Sequence, residues 1–189
     1  MFSLEFTRRF AMAHRFLGDD AGKCAVPHGH NEEVTVRLVP AAPARLDGST
    51  NMVEPFDRAK RLWHRWIDEH VDHAFQLSER DPMIAWFRDF EPLRLDRLLI
   101  TPGDPTTEVL ACCFMAKITA FLALDGGRLH CTMIRIAETP TNALCFDGDP
   151  ADWLPAESAP AMAPPWWRRA DMAINDLVPR GAPAVVASR

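Results

Sequence analysis

Apolar and polar residues alternate at the start of the chain, so that Phe2, Leu4, Phe6, Arg8, Phe10, Met12 and His14 share one face of an extended segment. This period of two predicts a strand over residues 2–14 that ends on His14. Residues 30–39 repeat the pattern, with Val34, Val36 and Leu38 set against Thr35 and Arg37, and predict a second strand placed to pair antiparallel with the first. The polar stretch between them, residues 18–27, reads as a surface loop. Apolar residues at 56, 59, 62, 63, 66, 67 and 71 follow the helical period and predict a helix over 56–71, with Pro55 in its opening turn. A second helix is expected from Thr106 to Leu124, opened by Asp104-Pro105 and closed by Gly126-Gly127. Residues 128–137 and 143–147 read as strands, the first with Leu129, Cys131 and Met133 against His130, Thr132 and Ile134. The coarse order is β-β-α-α-β-β.

Two stretches lie outside this order. Residues 78–103 form an insertion of the length that functional or intermolecular segments take, with a short helical piece around residues 83–90. Beyond Asp149 the composition turns to proline and alanine, including Pro150, Pro155, Pro160, Pro164, Pro165, Pro179 and Pro183. Residues 149–189 are therefore read as a tail, docked onto the 1–148 domain by Trp166 and Trp167.

Composition narrows the classes. With 189 residues, 48% hydrophobic and 25% charged, the chain is of ordinary globular type. A net charge of -5 and no basic helix give no general attraction to nucleic acid. The longest apolar run, residues 109–116, stops at Lys117 and falls short of a membrane span. Glu5, Arg8 and Arg9 interrupt the N-terminal segment, so no signal peptide is expected. The five cysteines show no paired framework and suit a reducing cytoplasm; Cys112, Cys113, Cys131 and Cys145 lie among apolar residues and read as buried thiols.

The densest chemistry lies between Cys24 and His30. His28 and His30, two apart in extended backbone, point to one side with Gly29 between them, and His14 ends the neighbouring strand. Three imidazoles with an open fourth position are the usual donor set of catalytic zinc, although an HxH pair is also a common surface accident. Cys24 is either an idle loop thiol or, beside a metal, Lys23 or a protonated histidine, a thiolate able to act as base or nucleophile. Asp72-His73 offers an acid/base pair or a solvated helix end. Glu138 ends a strand, either as a surface carboxylate or as a two-oxygen acceptor for the paired N–H donors of a 2-amino-4-oxopyrimidine edge.

Taken together these pieces resemble the 6-pyruvoyl-tetrahydropterin synthase family and its bacterial branch, the 6-carboxytetrahydropterin synthases. The matching segments are Phe10-Ala11-Met12-Ala13-His14-Arg15, Cys24 through His30, Met52-Val53 with Phe56 and Lys60, Val71-Asp72-His73, Pro105-Thr106-Thr107-Glu108, and Glu138-Thr139, in family order over residues 2–148. The resemblance implies an α+β tunnelling fold, an antiparallel sheet with two helices on one face that assembles into an oligomeric barrel with active sites between subunits. It also implies zinc on His14, His28 and His30, and Cys24 as general base with Asp72 and His73 of a neighbouring subunit as its partners. Glu138 becomes the pterin anchor, Thr106 and Thr107 meet the substrate, and Lys23 and Arg15 are the candidates for its phosphates. The substrate implied is 7,8-dihydroneopterin triphosphate.

Three residues separate Cys24 from His28, a spacing like that of the carboxy-forming branch, the queuosine-pathway enzyme. The rival readings are a pyruvoyl-forming elimination and a zinc- and pterin-binding scaffold without turnover. Three positions depart from the family pattern: Asn51 stands for the usual Gly, Pro55 for Asp, and Glu32 for an aromatic after the two histidines.

Overall fold

Strand β1, Leu4–His14, pairs antiparallel with β2, His28–Pro40, along its full length, from Leu4 opposite Leu38 to His14 opposite His28. The computed structural model that reveals this pairing describes residues 2–43, 45–156 and 163–178. Strand β5, Leu129–Ala137, lies against β2, and β6, Ala143–Phe146, against β5, both antiparallel. These four strands are the expected antiparallel sheet. Two more follow on the other side of β1: β3, Phe75–Ser78, and β4, Leu98–Thr101, each parallel to its inner neighbour. The sheet is therefore mixed and six-stranded, in the order β4-β3-β1-β2-β5-β6. Leu98, Leu99 and Ile100 are buried in succession, so β4 has no polar face from which a period could be read.

Helix α1, Phe56–Trp66, continues as a single π turn, Ile67–Val71, in which the Asp72 amide reaches back to the Ile67 carbonyl at 2.8 Å. Pro55 is its N-cap rather than its first helical residue. Helix α3, Thr107–Leu124, is capped by Thr106, whose hydroxyl accepts from the Val109 amide at 3.4 Å, and not by Asp104. Gly126 and Gly127, both at positive φ, close it by returning their N–H groups to Ala123 and Leu122. Both helices cover the even-numbered face of β1 and β2, where Phe10, Met12, Val34, Val36 and Leu38 form the core with Trp63, Trp66 and Phe114. Burial of this face against aromatic rings in edge-to-face contact is the main stabilising term.

Helix α2, Met83–Phe90, lies on the other side. Leu98 and Ile100 join Leu77 and Ile84 in a small second cluster, whereas Leu99 between them joins the main core. The insertion thus clothes the opposite face of β3 and β4.

Helix α3 is long and apolar enough to cross a membrane, yet ten of its residues are buried against the sheet and the C-terminal segment, which makes it a core helix. Lys117 in its middle is fully buried. Its ammonium donates to the Trp166 carbonyl at 3.0 Å and to Asp171 at 3.2 Å, among the rings of Trp66, Phe121 and Trp166. The charge at which the apolar run stops is the anchor of the C-terminal segment. Trp166 also gives its indole N–H to Ile100 O at 2.7 Å, Asn175 bonds the carbonyls of Leu95 and Leu98, and the Ile100 amide donates to Ile174 O at 3.1 Å, covering the outer edge of β4. The rest of the proline-rich stretch, 157–162 and 179–189, including Pro160, Pro179 and Pro183, lies outside the described residues.

One register shift matters for the site. Arg37 pairs with Met133 and Leu38 with Cys131, so Thr132 is a bulge, and Ile134 and Ile136 are buried beyond it. The strict alternation expected for this strand breaks there, and the period from Ile134 and Ile136 carries Glu138 onto the helix-covered face.

Candidate active site

His14, His28 and His30 converge. Opposite register brings His14 to His28, and the pleat carries His30 two residues on to the same face, so that one nitrogen from each ring lies within 4.8 Å of the others. Gly29 is required for this closeness, since a Cβ there would come 2.9 Å from the Met12 carbonyl oxygen. His14 Nδ1 donates to the Pro105 carbonyl at 3.2 Å and His28 Nδ1 to the Val26 carbonyl at 2.9 Å. The two Nε2 atoms stand 3.1 Å apart, and in the neutral form of each ring the Nδ1 bond leaves Nε2 its lone pair. Two lone pairs at that distance repel unless a cation lies between them. Tetrahedral zinc, with Zn–N of about 2.0–2.1 Å, sets its nitrogen ligands roughly 3.3 Å apart, so the set fits that ion. Burial, and then the neighbouring His28, hold the His14 imidazole below its ordinary pKa and keep it neutral, the form a metal needs.

Glu138 stands beside this cluster. Thr107, in the first turn of α3, donates its hydroxyl to Glu138 Oε1 at 3.1 Å, and the charge of Glu138 reaches both His14 and Glu32. Glu33 lies opposite Ala137, which brings Glu32 level with Glu138 across β2 and β5. Burial, and then the charge of Glu138, push Glu32 up to about 8. The sequence marked Glu32 as a departure from the family pattern but gave it no role in the site. Its signal was an acid continuing the inward face of Val34, Val36 and Leu38.

Cys24 lies half-buried in a 3₁₀ turn, Gly22–Ala25, whose backbone is tied to the segment just beyond β1 by Phe16 N–H donating to Cys24 O at 2.8 Å. The loop is pinned again by Asp104, whose carboxylate accepts from the amides of Leu17 and Gly18. Asp104, expected only as a helix cap, holds the thiol's loop instead. Lys23 is exposed on the same turn.

Asp72 and His73 do touch: His73 Nδ1 lies 3.0 Å from Asp72 Oδ2. Asp72 Oδ1 accepts the Ala11 amide at 2.7 Å and His73 N–H donates to Ala11 O at 2.7 Å, fixing the pair on the edge of β1. His73 is held at φ 64, a left-handed backbone that a side chain seldom adopts and that strained functional positions often do, and its ring is largely exposed. Among the described residues no hydrogen bond joins Cys24, Asp72 or His73 to the three histidines.

Arg15 behaves differently from expectation. Its guanidinium forms a two-bond pair with Asp81, at 2.8 and 2.5 Å, and Asp81 is fully buried and also accepts from the Met83 amide. The residue following His14 therefore fastens the insertion to β1. Of the cysteines expected to be buried, Cys112 and Cys113 are, and burial pushes Cys112 up to about 11, which leaves it an unreactive thiol. Cys145 is exposed on β6.

Sequence comparison gives this geometry a family. A family model described as 6-pyruvoyl tetrahydropterin synthase matches residues 3–149. The chain belongs to that family. Among curated relatives, a 6-carboxy-5,6,7,8-tetrahydropterin synthase of Rickettsia felis is 27% identical over 145 residues, covering 76% of this chain and 97% of the relative. A probable enzyme of the same name from Halobacterium salinarum is 29% identical over 132 residues, covering 70% and 77%. The fold is that of the 6-pyruvoyl tetrahydropterin synthase of Caenorhabditis elegans, with a TM-score of 0.53 at 23% identity, covering 78% of this chain and 96% of that one. An uncharacterised protein of Wolinella succinogenes aligns with a TM-score of 0.59 at 19% identity, covering 78% and 98%. The three histidines, Cys24, Asp72, His73 and Glu138 all lie inside the family-matched region.

Proposed function

We propose that this protein is a zinc-dependent lyase of reduced pterins, converting 7,8-dihydroneopterin triphosphate and water to 6-carboxy-5,6,7,8-tetrahydropterin, acetaldehyde and triphosphate, the queuosine-pathway reaction. The observation that carries the reading is the convergence of three imidazoles beside a carboxylate held by Thr107. Zinc on His14, His28 and His30 would act as a Lewis acid on the substrate's side-chain oxygens and acidify the neighbouring C–H bonds. Glu138 accepts the paired N–H donors of the pterin ring and so fixes which carbon of the side chain meets the cluster. Thr107 orients that carboxylate, and Thr106 sets the helix end that supplies it. Cys24 removes a proton from the side chain, and His73, held by Asp72, delivers or accepts one at the opposite side.

Asp72 and His73 work, in this reading, on the site of a neighbouring chain in a homo-oligomer, for which the exposed His73 ring is available. Lys23 meets the triphosphate on the exposed turn. Arg15 serves the phosphates only indirectly, through the position it gives to the end of β1. The five free thiols suit the reducing cytoplasm. Two observations favour the carboxy-forming reaction over pyruvoyl formation: the short step from Cys24 to His28, and relatives named for that product in a bacterium and an archaeon. Product analysis decides between them, since only the carboxy-forming route releases acetaldehyde.

A further inference from the structure

Three carboxyls are buried among the described residues, and two of them are spent within the protein. Asp81 pairs with Arg15, and Asp171 with Lys117 and Arg169. The third, Glu32, is 4% exposed and meets neither a cation nor a hydrogen-bond donor among the described residues. Stability alone gives no reason for it. A buried acid without a partner is destabilising, and Glu32 has Phe10 opposite it and Val34 one pleat further along the same face.

Its oxygens are nevertheless not closed off. The side-chain polar atoms that are both sealed and without a partner belong to Glu54, Trp63, His64, Gln76 and Trp167, and the Glu32 carboxyl is not among them. What stays exposed of this residue therefore includes its oxygens. Glu32 also follows His30 by one pleat, roughly 7 Å along the same face of β2. Across the sheet it lies level with Glu138. The Cβ atoms of such cross-strand neighbours stand about 4.5–5.5 Å apart. An amino group that gives both hydrogens, each over about 2.9 Å and in directions about 120° apart, sets its two accepting oxygens roughly 5 Å apart. The spacing suits one amino group held between the two acids.

We infer that Glu32 is a specificity-determining residue, which accepts the second hydrogen of the ligand's 2-amino group. The inference rests on the pterin reading of the site. Glu138 takes the ring N3–H and the amino hydrogen beside it, and Glu32 takes the amino hydrogen that points to the N1 side. A carboxyl accepts through its carbonyl oxygen whether or not it carries a proton, so the contact does not depend on the charge of Glu32. A ring whose amino group carries a methyl on the N1 side would press on Glu32 and leave it unpaired, and the site should reject it.

The test uses the full-length zinc-loaded protein and two non-reacting ligands, 6-methylpterin and its 2-methylamino derivative, titrated calorimetrically at one pH. The derivative keeps both donors for Glu138 and lacks only the hydrogen assigned to Glu32. The wild type should prefer 6-methylpterin by at least about tenfold. Glu32→Leu, similar in size and without an acceptor, should bring the two ligands within about threefold of each other by weakening the first and admitting the second. Glu32→Gln keeps an accepting oxygen and should retain most of the preference. A merely structural role for residue 32 would weaken both ligands alike and leave their ratio unmoved. Equal binding of the two ligands by the wild type would overturn the inference, as would a preference that survives whole in Glu32→Leu. Binding of neither ligand by the wild type would strike the pterin reading itself, and this inference with it.

Discussion

At the scale of single residues, the convergence of the three histidines was legible because it rests on periodicity. His28 and His30 share a face in any extended backbone, and a strand ending on His14 needed only the right register to join them. The account expects about one zinc per chain. Metal analysis should show His28→Ala and His30→Ala each losing most of it, and undiminished zinc in both would remove the assignment. Cys24→Ala should keep zinc and melting temperature but lose about 10²–10⁴-fold in kcat, the usual worth of a proton carrier. Unchanged turnover would leave the thiol idle. Glu138→Gln replaces one of two acceptor oxygens by a donor, and should weaken a non-reacting pterin about tenfold or more, read by calorimetric titration. Other residues could not be placed from sequence, because their partners come from distant segments. Arg15 is held by Asp81 across the insertion, and Glu32 lies level with Glu138 only once β5 is in register. The departure at Asn51 has a simple reason: its φ of 53 is the left-handed conformation that Gly favours and Asn tolerates.

At the scale of elements, β1, β2, α1 and α3 follow from period and end signals, and their observed bounds differ from the expected ones by a few residues. β3 and β4 were hidden because four-residue strands buried on both faces carry no alternation. The bulge at Thr132 was hidden because it depends on the partner strand. Lys117 misled in another way, since a lysine in an apolar run ordinarily marks exposure. Burial lowers its pKa to about 8, against an ordinary value of about 10.4. The folded state therefore releases this proton before the unfolded state does, and the contribution of Lys117 to stability rises with pH between those two values. Lys117→Met, of similar length and apolar, should remove that contribution. Melting temperatures of the two proteins compared from pH 7 to pH 10 should show the wild type gaining on the variant across this window. A constant difference would mean that Lys117 titrates as it does in water.

At the scale of the molecule, the residues of the proposed chemistry all lie inside the family-matched region, while α2 covers the opposite face of β3 and β4 and the C-terminal segment covers the outer edge of β4. How chains meet is a separate matter, argued from the outward-facing Asp72–His73 pair. If these two residues complete a neighbour's site, mixing inactive Cys24→Ala with inactive His73→Ala should restore part of the activity through hybrid sites. No recovery after verified subunit exchange would mean that each site is built within one chain. The central claim is the reaction itself, and its most direct measurement is the fate of the side chain of 7,8-dihydroneopterin triphosphate. Zinc-loaded protein is incubated with this substrate, aldehyde is followed by a coupled dehydrogenase, and the pterin product is weighed by mass spectrometry. The account predicts acetaldehyde in step with triphosphate, together with 6-carboxy-5,6,7,8-tetrahydropterin; triphosphate without acetaldehyde, or release of neither, would contradict it.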